Sequence, residues 1–428
     1  MTDERQPGFG TLAIHAGARP DPATGARVTP IYQTTSYVFD DTEHAAALFN
    51  LETFGNIYSR MMNPTAAVLE ERLAALEGGT AALATASGHG AQNLVFHTLM
   101  KPGAEFIAAR QLYGGSVNQF AYSFAKCGWT VKWADTEDPE SFRAQVTDKT
   151  RAIFIESIAN PGGVVSDIEA IAKVAKEADV PLIVDNTLAT PYLVRPKEHG
   201  ADIVVHSLTK FLGGHGNSVG GALIDCGTFD WMASGRYPTL SEPCESYHGI
   251  TMAETFGDFA FAIAARVLAL RDLGPAIAPM NAFLFITGIE TLPLRMQRHC
   301  ENALAVAQWL EGHDKVAWVN YAGLPSSRSY TMARKYCPKG AGAVFTFGLQ
   351  GGFDAGVKLV ESVELFSHLA NIGDTRSLII HPASTTHRQL SDEQRAAAGA
   401  GDDVVRLSVG LEDKDDIIAD LDQALASL

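Results

Sequence analysis

The chain has 428 residues, 46% of them hydrophobic and 19% charged, a balance that excludes a disordered or fibrous chain and fits a folded enzyme of two or three domains. Its formal net charge of −16 argues against wrapping nucleic acid or lying on an anionic membrane, and leaves room for a local basic pocket. Its five cysteines, Cys127, Cys226, Cys244, Cys300 and Cys337, contain no C-x-x-C pair, so a reduced cytoplasmic setting is expected rather than a disulfide framework or a zinc knuckle.

The N-terminal MTDERQPGFG carries no apolar signal core. No apolar run reaches membrane-spanning length; the stretch from Phe259 to Leu270 is short and holds Arg266. Residues 1–62 are rich in Pro, Gly, Thr and Asp and read as irregular, with one short extended piece in VTPIYQTTSYVF. Such a segment forms no core alone and is expected to lie as an arm across something larger. Asn63-Pro64-Thr65 then starts a helix, with proline in its first turn, that stops at Gly78-Gly79.

Thr80 to Ala86 predicts a small-residue strand, and Ser87-Gly88-His89-Gly90 opens a helix. A strand, a glycine turn and a helix N-terminus make an anion seat of backbone N–H groups, although the third glycine of a dinucleotide fingerprint is missing. Lys101 to Tyr113 reads as a strand followed by LYGG. Ala152 to Glu156 is a buried strand leading to SIANP, with Asn160 in the turn before a proline. Asp167 to Ala178 is an amphipathic helix, and PLIVDNT is the next strand, ending at Asp185. Ile203-Val204-Val205 is another, leading to His206, Ser207, Leu208, Thr209 and Lys210 and then a glycine-rich turn. Ser207 and Thr209 are expected to flank the lysine on extended backbone. Strands and helices alternating at this spacing require a right-handed, mostly parallel sheet, whose ligand site lies at the carboxyl edge of the strands.

From Gly227 to Gly257 turn signals dominate and no period is visible, as in a long, partly structured excursion. From Phe259 the pattern becomes long helices. AVFTFGLQ and VVRLSVGLE read as strands of a smaller α/β domain, closed by the amphipathic helix KDDIIADLDQALASL. There are no internal repeats and no low-complexity segment.

Asp185 and Lys210 at adjacent strand ends suggest one chemistry. A carboxylate can hold a pyridine nitrogen protonated, and an amine can form a Schiff base with an aldehyde. Together they are the protein's half of pyridoxal phosphate chemistry. Two other classes bear weighing. Ser207-Leu208-Thr209-Lys210 satisfies the S-x-x-K of serine acyltransferases, but the S-D-N and K-T-G partners of that site do not occur. The sheet alone would also suit a non-catalytic nucleotide-binding module. Read alone, Tyr58 and Arg60 are ordinary loop residues, Tyr113 is a core aromatic, and Arg406 is a salt-bridge anchor. His381 and His387 have no ligand pattern around them and read as structural, so no metal is expected.

The strings YSRMMNPT, LYGG, ESIANP, IVDNT, SLTKFLGGH and RSLIIHPAST, in this order, resemble the Cys/Met-metabolism family of fold-type I pyridoxal-phosphate enzymes. The excursion after Gly227 resembles the family's sulfhydrylase branch. The resemblance implies an α/β fold: a mostly parallel sheet with helices on both faces, an N-terminal arm and a smaller C-terminal α/β domain. It divides the chain into an arm (1–62) that contributes to a neighbouring subunit's site, a cofactor domain (63–260) and a small domain (261–428). It implies pyridoxal 5′-phosphate as cofactor, linked to Lys210, with Asp185 at the ring nitrogen and Tyr113 stacked on the ring. Asn160 is then near the ring hydroxyl. Gly88, His89 (through its backbone), Ser207 and Thr209 surround the phosphate, with Tyr58 and Arg60 reaching in from another subunit of a homotetramer. Arg406, with Ser377 beside it, takes the substrate α-carboxylate; Arg376 has less support. The implied activity is γ-replacement on O-acetylhomoserine by sulfide or methanethiol. Related activities in the family use cysteine, a succinyl ester, or elimination alone.

Overall fold

β-Branched and small apolar runs build the strands of this chain, and amphipathic segments between them build the layers that cover them. The computed structural model describes residues 7–386, 388, 395 and 399–428. Seven strands form the main sheet: β1 (Ala81–Thr85), β2 (Glu105–Ala109), β3 (Thr130–Ala134), β4 (Thr150–Glu156), β5 (Leu182–Asp185), β6 (Ile203–Ser207) and β7 (Gly221–Asp225). Their spatial order is β1-β7-β6-β5-β4-β2-β3, parallel from β6 through to β3, with β7 antiparallel to both of its neighbours. The inner strands are continuous runs of fully buried Ile, Val and Phe, as a sheet covered on both faces requires.

Helix α1 (Pro64–Glu77) begins as its sequence dictates. The Asn63 side chain accepts from the N–H groups of Thr65 and Ala66, proline occupies the first turn, and Gly78 ends the helix at φ +73°. Helix α2 (Gly88–Leu99) follows β1 and is capped by Ser87, whose hydroxyl accepts from Gly90 N–H at 3.0 Å. Helix α3 (Ile168–Glu177) connects β4 to β5 with Ile168, Ile171, Val174 and Ala175 buried.

The excursion after β7 is built of short pieces rather than loop. The hairpin β8 (Pro243–Cys244) with β9 (Ile250–Thr251) lies among single-turn helices, and Trp231, Tyr237, Leu240 and Tyr247 are buried. Helices α4 (Pro279–Glu290) and α5 (Leu292–Glu311) lead to a second sheet. It comprises β10 (Val316–Asn320), β11 (Val344–Leu349), β12 (Ser367–His368), β13 (Leu378–Ile380) and β14 (Val404–Ser408), in the order β10-β11-β14-β13-β12. Helix α6 (Lys414–Ala426) closes the chain.

The N-terminal segment differs from its reading as wholly irregular. Phe9–His15 and Thr42–Phe49 are helical, and VTPIYQTTSYVF supplies only an isolated bridge between Ser36 and Tyr58. The buried Arg72 guanidinium holds the first helix down by donating to Ile14 O at 2.9 Å and Ala16 O at 3.1 Å. Among the described residues no helix is long and apolar enough to cross a membrane.

Candidate active site

The carboxyl ends of β4, β5 and β6 bring Glu156, Asp185 and Ser207 to one edge of the main sheet, Glu156 in register with Asp185. This is the edge at which α/β sheets bind ligands. The cavity there measures about 230 Å³ and opens to solvent. Gly88, His89, Tyr113, Asn160, Asp185, Ser207, Thr209, Lys210 and Arg406, separated by up to 318 positions in sequence, all line it.

Asp185 is held by Thr187, whose N–H (3.0 Å) and hydroxyl (2.5 Å) both donate to Oδ1, and by Gln92 Nε2 donating to Oδ2 at 3.4 Å. Burial pushes the Asp185 carboxyl up, and these bonds oppose the rise. The Thr187 hydroxyl also accepts Ser207 N–H at 2.9 Å, tying β5 to β6 beneath the cavity.

Lys210 is not on extended backbone. The β6–β7 pairing ends at Ser207 and Gly221, and beyond it the chain curls, Gly214 N–H donating to Lys210 O at 2.7 Å. Gly214 sits at φ +74°, a conformation that favours glycine, so the glycine-rich tail of the motif makes the turn. The Lys210 Nζ donates to Asn371 Oδ1. Burial, and then the charge of Arg406, bring the Lys210 amine down to about 8.

Arg406 on β14 reaches the same cavity from the second sheet. Its Nη1 donates to Asn160 Oδ1 and its Nη2 to Asn371 O, both at 3.2 Å. Burial lowers it to about 10, so it stays cationic at neutral pH, and both of these partners are neutral oxygens. Such a fork can accept a ligand carboxylate in two parallel bonds.

The anion seat is tight. A Cβ on Gly88 would stand 2.9 Å from Ser207 Cβ, so a glycine is needed where the turn into α2 meets β6. Thr209 Oγ donates to Gly220 O at 3.2 Å and accepts Gly220 N–H at 3.1 Å, bracing the far side of the lysine turn. The Tyr113 ring, half exposed, stacks on His89 with centroids 5.8 Å apart, and burial lowers the His89 imidazole below its ordinary value.

Four residues singled out from sequence, Tyr58, Arg60, Arg376 and Ser377, stand outside the cavity. The Arg60 guanidinium lies 5.5 Å from the Tyr58 ring centroid and donates to Arg271 O. Ser377 is fully buried, its hydroxyl donating to Glu412 Oε2 and accepting Gly410 N–H, both at 2.9 Å. Arg376 pairs with Asp374 at 3.0 Å. His381 is buried against Asp402 O at 2.8 Å, and His387 lies outside the described residues. No residue of 227–257 lines the cavity. Glu156, Gln92, Thr187 and Asn371 do line it or hold its residues, and were not picked out from sequence. Glu156 ends an apolar run as Asp185 does, a signal that could have found it; Asn371 sits in a patternless loop.

An amine whose charge is weakened, in one cavity with a buried acid whose donors are all neutral groups, fits a cofactor that brings an aldehyde and a basic ring nitrogen. The N-terminus of α2, beside the Ser207 and Thr209 hydroxyls, fits that cofactor's phosphate. These pairings define a pyridoxal-phosphate enzyme of fold type I, with its mostly parallel sheet and smaller C-terminal α/β unit. The chain belongs to the Cys/Met metabolism PLP-dependent enzyme family, whose sequence pattern matches residues 10–426. It is 54% identical over 427 residues to the O-acetyl-L-homoserine sulfhydrylase of Leptospira meyeri, spanning 98% of this chain and 96% of that one. It is 51% identical over 419 residues to the homocysteine synthase of Schizosaccharomyces pombe, spanning 97% and 98%. A crystal structure described as an O-acetylhomoserine (thiol)-lyase of Campylobacter jejuni, carrying N′-pyridoxyl-lysine-5′-monophosphate, matches with a TM-score of 0.94 at 39% identity, over 98% of this chain and 100% of that one.

Proposed function

We propose that the enzyme performs a γ-replacement, converting O-acetyl-L-homoserine and sulfide (or methanethiol) to L-homocysteine (or L-methionine) and acetate. The observation that carries this is the convergence of Lys210, Asp185 and Arg406 on one cavity in a chain 54% identical to a sulfhydrylase. Bound pyridoxal phosphate supplies the electron sink that acidifies the hydrogens on the substrate's Cα and Cβ. Lys210 would hold the cofactor and Asp185 the proton on its ring nitrogen. The N–H groups of Gly88 and His89, with Ser207 and Thr209, would hold its phosphate; Tyr113 would cover its ring and Asn160 stand near its hydroxyl.

Arg406 grips the α-carboxylate and so fixes Cα and Cβ relative to the Lys210 amine. That amine, brought down to about 8, is neutral often enough near physiological pH to take the Cα proton, hand it on and, neutral again, take a Cβ proton; after sulfide has added it returns protons to Cβ and Cα in reverse order. Tyr113 assists the departing acetate. Ile158, Leu188, Val219 and Ile372 present apolar surface to the cavity and limit water, which would divert the substrate, once acetate has left, to 2-oxobutanoate and ammonia.

The reading extends to assembly. Residues 1–62 would carry Tyr58 and Arg60 to the phosphate in a neighbouring subunit of a cytoplasmic homotetramer. Residues 63–260 would hold the cofactor, and 261–428 the carboxylate anchor. Val38, Phe54 and Tyr58, at 97%, 76% and 42% exposure, are supporting surface for such a contact, and the five free cysteines support the compartment.

The test is a product assay: acetyl- or succinyl-homoserine, each with sulfide, methanethiol or cysteine. Homocysteine and acetate as the dominant products are expected. Cystathionine from the succinyl ester as the main product, or a faster release of 2-oxobutanoate when methionine alone is supplied in a parallel assay, would overturn the assignment.

A further inference from the structure

Glu156 has no part in the chemistry above, yet it is 4% exposed, lines the cavity and stands in register beside another acid, Asp185. Neither of its oxygens meets a cation. Oε1 accepts the backbone N–H of Tyr113 at 2.7 Å, and Oε2 accepts the backbone N–H of Asn160 at 3.0 Å. Two turns that approach the cavity from different strand ends are therefore held by one side chain.

Each turn carries something further. Tyr113 starts the short helix Gly114–Asn118 and presents its ring to the cavity beside His89. Asn160 turns its side-chain oxygen to Arg406 Nη1 at 3.2 Å, while Arg406 Nη2 reaches Asn371 O, and the Asn371 side chain receives the Lys210 amine. Glu156 is thus the joint between the ring-covering side of the site and its carboxylate-anchoring side. The side-chain type follows from the geometry. A carboxyl group offers an acceptor oxygen to each of two N–H groups; an amide of the same length offers one, and turns a donor toward the other. Burial beside Asp185 pushes the Glu156 carboxyl well up, a cost that a merely space-filling residue would not carry.

We propose that Glu156 is a positioning residue that sets Tyr113 over the cofactor and, through Asn160, sets Arg406 for the substrate carboxylate. The inference rests on the proposed function for its substrate and on the family's cofactor for its ring.

The experiment compares wild type, Glu156→Gln, Asn160→Ala and the double variant. The pyridoxal phosphate dissociation constant is measured on cofactor-free protein, and KM and kcat for O-acetylhomoserine on the loaded enzyme. Glu156→Gln is expected to weaken cofactor binding about tenfold and to raise KM about tenfold, the scale of one lost hydrogen bond in a dry site. Because Glu156 acts on Arg406 through Asn160, the two KM effects must be less than additive in the double variant, whereas the cofactor effect must persist in Glu156→Gln whatever stands at 160. A Glu156→Gln protein that melts lower but keeps both constants, or that shows strictly additive KM effects, would overturn the proposal. If Glu156→Gln does not fold, Glu156→Asp, whose shorter arm reaches one N–H at most, must show the same paired losses. Should wild type bind the cofactor and fail to turn over O-acetylhomoserine, the substrate assignment falls while the cofactor arm still decides on Glu156.

Discussion

Lys210 meets two influences that work in the same direction. Its amine is removed from water, and Arg406 stands near enough to disfavour a second positive charge. The consequence is testable before any substrate is added. In cofactor-free protein, acylation of Lys210 by a small amine-reactive ester should rise with pH through a midpoint of about 8, below the ordinary lysine value of 10.5. The sign follows from the cause: only the neutral amine reacts, and the site favours the neutral form. Peptide mapping across a pH series reads the midpoint for each lysine, and pyridoxal phosphate should protect Lys210 selectively. A midpoint close to that of exposed lysines would mean that the cavity does not weaken the charge, and that the base needs another source of activation.

Among the secondary elements, the ends of β4, β5 and β6 each carry a cavity residue and a neighbour turned away from it. The cavity side has Glu156, Asp185 and Ser207; the other side has Ser157, Asn186 and His206, all buried. This second set forms a row: the Ser157 hydroxyl donates to Asn186 Oδ1 at 2.8 Å, Asn186 Nδ2 donates to Glu77 Oε1 at 2.8 Å, and His206 Nε2 meets the same oxygen at 2.6 Å. Glu77, the last residue of α1, therefore pins two strand ends from behind. Glu77→Ala should cost about 2–4 kcal/mol, because it takes from the buried His206 ring and Asn186 amide the oxygen that both meet. Urea unfolding measures the loss; a change within about 0.5 kcal/mol, the range of ordinary surface substitutions, would show the row to be dispensable. This is also where sequence reading reaches its limit. The runs IVVHS and PLIVDNT announce strands that end in polar residues, because a covered sheet demands apolar interiors. Nothing in one dimension says that Asn186 faces Glu77, 109 positions away, while Asp185 faces the cavity. Ser377 illustrates the converse: its motif is clear, yet folding commits its hydroxyl to Glu412 and Gly410.

At the scale of the molecule, the cavity draws Asp185 and Lys210 from the first sheet and Arg406 from the second, a convergence that the order of motifs along the chain made legible without distances. The arm is different, because the role proposed for it needs a contact beyond a single chain. Tyr58 is 42% exposed and Arg60 lies outside the cavity, so their proposed role requires a second copy. That requirement has a sharp consequence. Arg60→Ala and Lys210→Ala should each lack activity alone, the first through loss of a phosphate contact and the second through loss of the amine. Unfolded together and refolded as an equal mixture, half the dimers pair one variant with the other. Each such dimer contains one site with an intact Lys210 and an intact arm from its partner, and one site with neither. Activity should therefore return to about a quarter of the wild-type value per site, as random two-fold pairing dictates. The measurement is homocysteine formation before and after mixing, with size-exclusion chromatography to confirm that subunits have exchanged. If exchange is complete and the mixture stays inactive, the arm serves its own chain, and Arg60 would have to swing from Arg271 into the cavity it does not now reach.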